Sequence, residues 1–145
     1  MTHITLQDAR DSTITVGSEI TPYARETGLL AWNRYAAVND EFVPIHMDQE
    51  AGKQAGYDGA FGMGNLQFAY IHNALRDWVG DRARITSVSC QFRKPDLGGL
   101  VTVKGTVSSI EQAPDGTEVV VDIWTEDESG DKLAPGRSTL LFPSS

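Results

Sequence analysis

The sequence predicts an α+β fold in which an antiparallel sheet curls around one long helix. Two observations carry that expectation. From Asn65 to Val79, the residues Leu66, Phe68, Ala69, Tyr70, Ile71, Ala74, Leu75, Trp78 and Val79 leave a helix little polar face, as in a helix wrapped by other elements. Beyond Gly80-Asp81 the character changes. Strand-like stretches follow at about 84–94, 100–111, 117–126 and 133–142, rich in Val, Ile, Thr and aromatics. Pro95-Asp96 with Gly98-Gly99, Pro114-Asp115-Gly116 and Ser129-Gly130-Asp131 separate them, and connections this short predict antiparallel neighbours. A helical half followed by a run of strands is an α+β layout.

The N-terminal half is read in the same way. Residues 1–12 are polar and expected to be loosely ordered. Ile14 and Val16 alternate with Thr13 and Thr15, which predicts a short strand, and Thr21-Pro22 predicts a turn. Thr27 is placed to cap a helix from about Gly28 to Val38, whose apolar side is Leu29, Leu30, Trp32, Tyr35, Ala36 and Val38. Asn39-Asp40 ends it. Asp48 and Glu50 form the cap and first turn of a short helix reaching about Ala55. Gly56, Gly59, Gly62 and Gly64 then permit close backbone approach. No repeat, low-complexity tract or linker divides the chain, so residues 1–145 are expected to form a single domain.

Composition narrows the function. A chain of 145 residues, 40% hydrophobic and 22% charged, has the profile of a globular protein. It contains no run near the roughly 20 apolar residues that a membrane-spanning helix needs. Met1 to Arg10 lacks the apolar core of a secretory signal, so a cytoplasmic location is expected. A net charge of −8, without a Lys/Arg run, argues against a nucleic-acid partner. The single cysteine, Cys90, alternates with Val88 and Phe92 and reads as a buried strand residue rather than a nucleophile. Zinc needs three or four ligands, and His46 with Asp48 is the one close pair, so no metal site is expected. An anionic ligand would find its basic spot among Arg82, Arg84, Arg93 and Lys94.

The chemistry concentrates in Asn39-Asp40-Glu41-Phe42-Val43-Pro44-Ile45-His46-Met47-Asp48. A carboxylate and an imidazole a few residues apart in a Pro-containing loop can converge on one point. There they supply the two proton transfers that hydration of a conjugated thioester requires. The competing structural reading is that His46 only hydrogen-bonds the loop and Asp40 only caps a helix. His72, on the apolar helix, reads as a satisfied core or interface histidine.

Tyr35 to Asp48, then Ala55-Gly56, then Phe61-Gly62-Met63, resemble the signature of MaoC-like dehydratases, the family of R-specific enoyl-CoA hydratases. Cys90-Gln91-Phe92-Arg93-Lys94-Pro95, with Gly98-Gly99 and Val101-Thr102-Val103, is similar to that family's strand, Pro turn and return strand. Pro-Ile-His-x-Asp and Gly-Met are its most specific parts. The resemblance implies a hot-dog fold and interconversion of trans-2-enoyl and (3R)-3-hydroxyacyl thioesters of coenzyme A or acyl-carrier protein. It further implies a dimer, homomeric or heteromeric, and no cofactor beyond the coenzyme A that the substrate carries. On this reading Asp40 or Glu41 is the base that activates water, His46 handles the second proton, and the Gly62 N–H holds the thioester oxygen. Arg93 and Lys94 are candidates for the coenzyme A phosphates.

Three departures bear on activity. Counted back from His46 without a gap, the family's acidic residue falls on Glu41; with one inserted residue it falls on Asp40. Val43 stands where the family has Asn, and Phe61 where it commonly has His. These changes motivate an alternative, a non-catalytic hot-dog subunit of a heterodimeric hydratase. A weaker alternative is an acyl-CoA thioesterase.

Overall fold

Val119, Val121, Ile123 and Thr125 are buried and alternate with more accessible neighbours, the period-two pattern of a strand with one face on a core. That strand is the centre of the sheet. The computed structural model describes residues 5–144. In chain order the elements are β1 (Tyr23–Thr27), α1 (Leu29–Asn39), α2 (Gln49–Gln54), α3 (Gly64–Val79), β2 (Arg84–Cys90), β3 (Gly99–Ala113), β4 (Gly116–Glu126) and β5 (Lys132–Pro143). One antiparallel sheet holds all five strands in the order β1-β3-β4-β5-β2. Register shifts at Val107/Ser109 and Ile85/Ser87 mark bulges, which bend a sheet and let it curl.

The long helix α3 lies against β1 through β4, as the apolar stretch predicts. Leu66, Tyr70, Ile71, Ala74, Leu75, Trp78 and Val79 are its buried apolar residues, and they meet Val101, Val103, Val107, Ile123 and Leu140 in one core. Asn73, Arg76 and Asp77 keep one side exposed. His72 is half-buried and satisfied, its Nδ1–H donating to the Phe68 carbonyl at 2.9 Å. Among the described residues no helix is long and apolar enough to cross a membrane.

Several local expectations are corrected. Residues 5–12 are not a loose tail: Leu6 and Asp8 are buried, and the Ala9 N–H donates to the Trp78 carbonyl at 2.8 Å. Residues 1–4 of that expectation lie outside the described residues. The strand expected at Ile14–Val16 does not form, and Ile14 instead inserts into the core while Val16 is exposed. Pairing with β3 begins later, where Gly17 N–H donates to Val107 O and Val107 N–H to Ser18 O, and continues through Ile20 into β1, which the turn at Thr21-Pro22 concealed. Thr27 ends β1 rather than capping α1; Gly28 is the N-cap, and the Thr27 hydroxyl donates to Asp96 Oδ1 at 2.9 Å. Leu30 and Val38 are exposed, so the apolar side of α1 narrows to buried Trp32 and Ala36 with half-buried Leu29 and Tyr35 packed beside them.

The strand expected over 84–94 ends at Cys90, which is half-buried, with its thiol pKa pushed up by burial. Consecutive strands β3, β4 and β5 are neighbours as expected, but β2 pairs with β5 and not with β3. Residues 91–98 therefore cross from one edge of the sheet toward the other. That crossing passes the N-terminus of α3, because the Gly62 N–H donates to the Asp96 carbonyl on the way.

Candidate active site

His46 is placed by two bonds that link distant pieces of loop. Pro44 starts a single 3₁₀ turn, Pro44–His46, where its fixed φ suits the first position. The Phe61 N–H donates to the Ile45 carbonyl at 3.1 Å, and His46 Nδ1 lies 2.7 Å from the Phe61 carbonyl. A carbonyl oxygen only accepts, so Nδ1 carries the proton. In the neutral ring Nε2 is left with the free lone pair. The Phe61 ring meets the imidazole edge-on at 5.2 Å, and Tyr57 packs on Phe61 at 4.6 Å. His46 is 9% exposed.

The two candidate carboxylates part company. Asp40 is the C-cap of α1, in the left-handed region at φ 54, and is exposed. Glu41 is half-buried, and its Oε2 is buried without a hydrogen-bond partner. Burial, with the Glu41 charge second, pushes the Tyr35 hydroxyl pKa up. Phe42 and Val43 face solvent, so replacing the amide at position 43 exposes a side chain rather than emptying a core site.

A pocket of about 200 Å³ brings His46 together with Gly62, Gly64, Gln67, Arg93 and Lys94. Neither Asp40 nor Glu41 is among its lining residues. Arg93 and Lys94 are exposed at its rim, held by N–H donation from both to the Leu133 carbonyl. Four larger hollows, the two widest about 410 Å³ beside Asp81 and Arg84 and about 380 Å³ beside Trp32 and Gln49, are lined by no histidine among the described residues. No group of three or more His, Cys, Asp or Glu side chains gathers as metal ligands among the described residues.

The expectation for Gly62 meets an obstacle. Its N–H already donates to the Asp96 carbonyl at 2.7 Å, and a Cβ there would lie 2.6 Å from Trp32 Nε1 and 2.8 Å from Asp96 Oδ2. Gly62 is a close-packing glycine whose amide is in use. The first-turn amides of α3 begin two residues later; Leu66 N–H donates to the Met63 carbonyl at 3.1 Å, which leaves those of Gly64 and Asn65 without a helical carbonyl behind them.

Comparison with known families and structures matches residues 10–126 to the MaoC like domain. The chain belongs to the MaoC-like dehydratase family. Solved structures agree on the hot-dog fold. The R-hydratase PhaJ1 from Pseudomonas aeruginosa superposes with a TM-score of 0.78 at 20% identity, over 91% of this chain and 84% of that one. The (R)-hydratase from A. caviae involved in PHA biosynthesis gives 0.75 at 19%, over 90% and 98%. The ChsH1-ChsH2 complex from Mycobacterium tuberculosis gives 0.77 at 17%, over 88% and 98%. A comparison with curated protein sequences returns no match.

For a MaoC-like chain, two site residues were hidden in the sequence. Gln67 is 2% exposed and lines the pocket, although it stands in an apolar helical run. Its signal was a lone polar residue at a core-facing spacing, between Leu66 and Tyr70. Asp96 read as a turn residue. It is 2% exposed, and its Oδ1 accepts from Thr27 Oγ1 and from the Gly98 N–H, so it ties β1 to the crossing segment.

Proposed function

We propose that this MaoC-like chain is a hydro-lyase that adds water to trans-2-enoyl thioesters of coenzyme A, giving (3R)-3-hydroxyacyl products, and runs the reverse. The observation that carries the reading is the orientation of His46. With Nδ1–H held by the Phe61 carbonyl, Nε2 is the nitrogen available beside the pocket. His46 Nε2 takes a proton from water as its oxygen attacks C3. The carboxyl of Glu41, the inward-turned member of the candidate pair, handles the proton at C2. This exchanges the roles the loop sequence suggested, in which the carboxylate activated water. Negative charge developing on the thioester oxygen is met by the α3 N-terminus at Gly64 rather than by Gly62 N–H. Arg93 and Lys94 at the rim suit the coenzyme A phosphates, and the reaction uses no cofactor beyond the coenzyme A of the substrate.

The test is hydration of crotonyl-CoA, followed by loss of the conjugated thioester's ultraviolet absorbance, with chiral analysis of the product. Turnover to the (3R) product that disappears in His46→Ala supports the reading. Near-normal turnover in that variant would sink it.

A second reading, a subunit that completes a heteromeric hydratase, is favoured by exposed Phe42 (57%) and Phe92 (53%). Exposed aromatics four residues before His46 and at the pocket rim suit a covering partner. Light scattering decides it: an inactive chain that gains activity only with a second hot-dog chain supports this reading over the first.

A further inference from the structure

Gln67 is a polar residue that the apolar face of α3 does not explain. Tyr70, Ile71 and Ala74 on the same helix are all core, whereas Gln67 buries an amide. The Thr125 hydroxyl lies 2.6 Å from Gln67 Oε1. Thr125 is fully buried; its oxygen accepts the Ala134 N–H at 3.1 Å, and its own proton goes to Gln67 Oε1. That order sets the amide: Oε1 faces β4, and the NH₂ group is turned away from it. Among the described residues no protein acceptor takes those two protons. Nε2 is not sealed off as Trp32 Nε1 is, so the NH₂ group opens on the pocket that Gln67 lines and is free to donate to a ligand there.

We propose that Gln67 Nε2 recognises an oxygen atom in the acyl group, so that the site selects enoyl thioesters whose chain carries a carbonyl or hydroxyl oxygen. This rests on the hydratase reading above. Depth orders the pocket: Phe92, Arg93 and Lys94 are exposed, His46 is buried, and Gln67 is deeper still, against the middle of the sheet. A thioester that leaves its phosphates at Arg93 and Lys94 presents its double bond to His46 and the rest of its chain to Gln67. A short acyl chain suits a pocket of about 200 Å³. A site with an oriented donor discriminates against the analogue that lacks an acceptor more strongly than an apolar pocket discriminates by size.

The test uses saturated, unreactive thioesters, so that it does not depend on turnover. Titration calorimetry compares 5-oxohexanoyl-CoA with hexanoyl-CoA, and hydration of trans-hex-2-enoyl-CoA is assayed alongside. The oxo compound is expected to bind at least about tenfold more tightly, the effect of one well-placed hydrogen bond. Gln67→Leu and Thr125→Val, each checked for folding by thermal unfolding, bring that ratio toward one. Equal affinities in the unaltered protein, or a preference that survives Gln67→Leu, would overturn the assignment whatever the variants do. An equal loss on both compounds in Gln67→Leu, with the ratio intact, would also overturn it and place Gln67 on the thioester oxygen. A preference without any hydration keeps the Gln67 assignment and removes the hydratase reading instead.

Discussion

His46 and Phe61 are joined twice, by an Nδ1–H bond to the Phe61 carbonyl at 2.7 Å and by edge-on ring contact at 5.2 Å. The residue that stands where the family commonly has His thus orients the imidazole with its backbone. Losing that side chain need not disable the site. Phe61→His should therefore keep the His46 tautomer and retain turnover within about tenfold. His46→Ala should lower kcat/KM by about 10²–10⁴, the range for a lost general acid or base. Crotonyl-CoA kinetics on both variants, with circular dichroism to confirm folding, checks the pair.

Asp40 and Glu41 are adjacent, but the end of α1 sends them different ways. Glu41→Gln should lower turnover by about 10²-fold or more. Asp40→Asn should leave it within about twofold. Asp40 also sits in the left-handed region at a helix C-terminus, where glycine is preferred and a negative charge opposes the helix dipole. Asp40→Gly should then raise stability by about 0.5–1 kcal/mol, from the combined cap and charge effects. Urea unfolding measures the gain; a loss of both stability and activity in Asp40→Gly would return the catalytic role to Asp40.

The fold was legible where one residue pattern dictated one environment. The α3 stretch and the Val-rich strands each read correctly because burial and periodicity agree there. His46 was legible for a different reason, its place in Pro-Ile-His-x-Asp. Tyr23–Thr27 was not, because an edge strand needs no apolar alternation and its partner, Val103 to Gly99, lies far along the chain. The β2–β5 ladder was likewise hidden, since short connections suggest sequential neighbours and the crossing over residues 91–98 breaks that rule. Residues 5–12 looked like a tail because their anchoring bonds, from Ala9 N–H to the Trp78 carbonyl and from Arg82 to the Asp8 carbonyl, reach far along the chain. Gln67 and Asp96 stayed out of sight because their roles depend on Thr125, Thr27 and Gly62, contacts that only tertiary structure makes.

Glu126 gives the fold an acid-sensitive contact. Hydrogen bonding from Lys104 lowers its pKa, against the opposing effect of burial, with help from Trp124 Nε1–H and from the charges of Lys104 and Lys132. A carboxyl depressed in the folded state stabilises above its unfolded value, near 4.5, and loses that contribution as pH falls through the lower folded value. Glu126→Gln should therefore melt a few degrees below the unaltered protein at pH 7, about 2–4 °C for each kcal/mol lost. The gap should close as pH falls below 4.5 and through the lower folded value, as the native carboxyl takes up its proton. Melting curves across this range check the sign; a gap that widens in acid would contradict it.

Gly62 and Gly64 lie two residues apart, yet the same substitution should have opposite signatures at them. A methyl group at Gly62 meets Trp32 Nε1 at 2.6 Å and Asp96 Oδ2 at 2.8 Å, both on buried side chains locked between β1, α1 and the crossing segment. Nothing there yields cheaply, so Gly62→Ala should cost about 1–3 kcal/mol of stability, as overpacking does. At Gly64 the methyl group meets the Phe92 ring at 2.7 Å, and Phe92 is half in solvent and free to swing away. Gly64→Ala should therefore cost little stability but displace the aromatic at the pocket rim and crowd the helix amide that faces the thioester. Its kcat/KM should fall by about tenfold or more, roughly the worth of one weakened oxyanion contact. Urea unfolding and crotonyl-CoA kinetics on both variants separate the two. If Gly62→Ala instead folded normally and lost turnover while Gly64→Ala kept it, the oxyanion contact would belong to Gly62, and the bond to Asp96 would have to open when substrate binds.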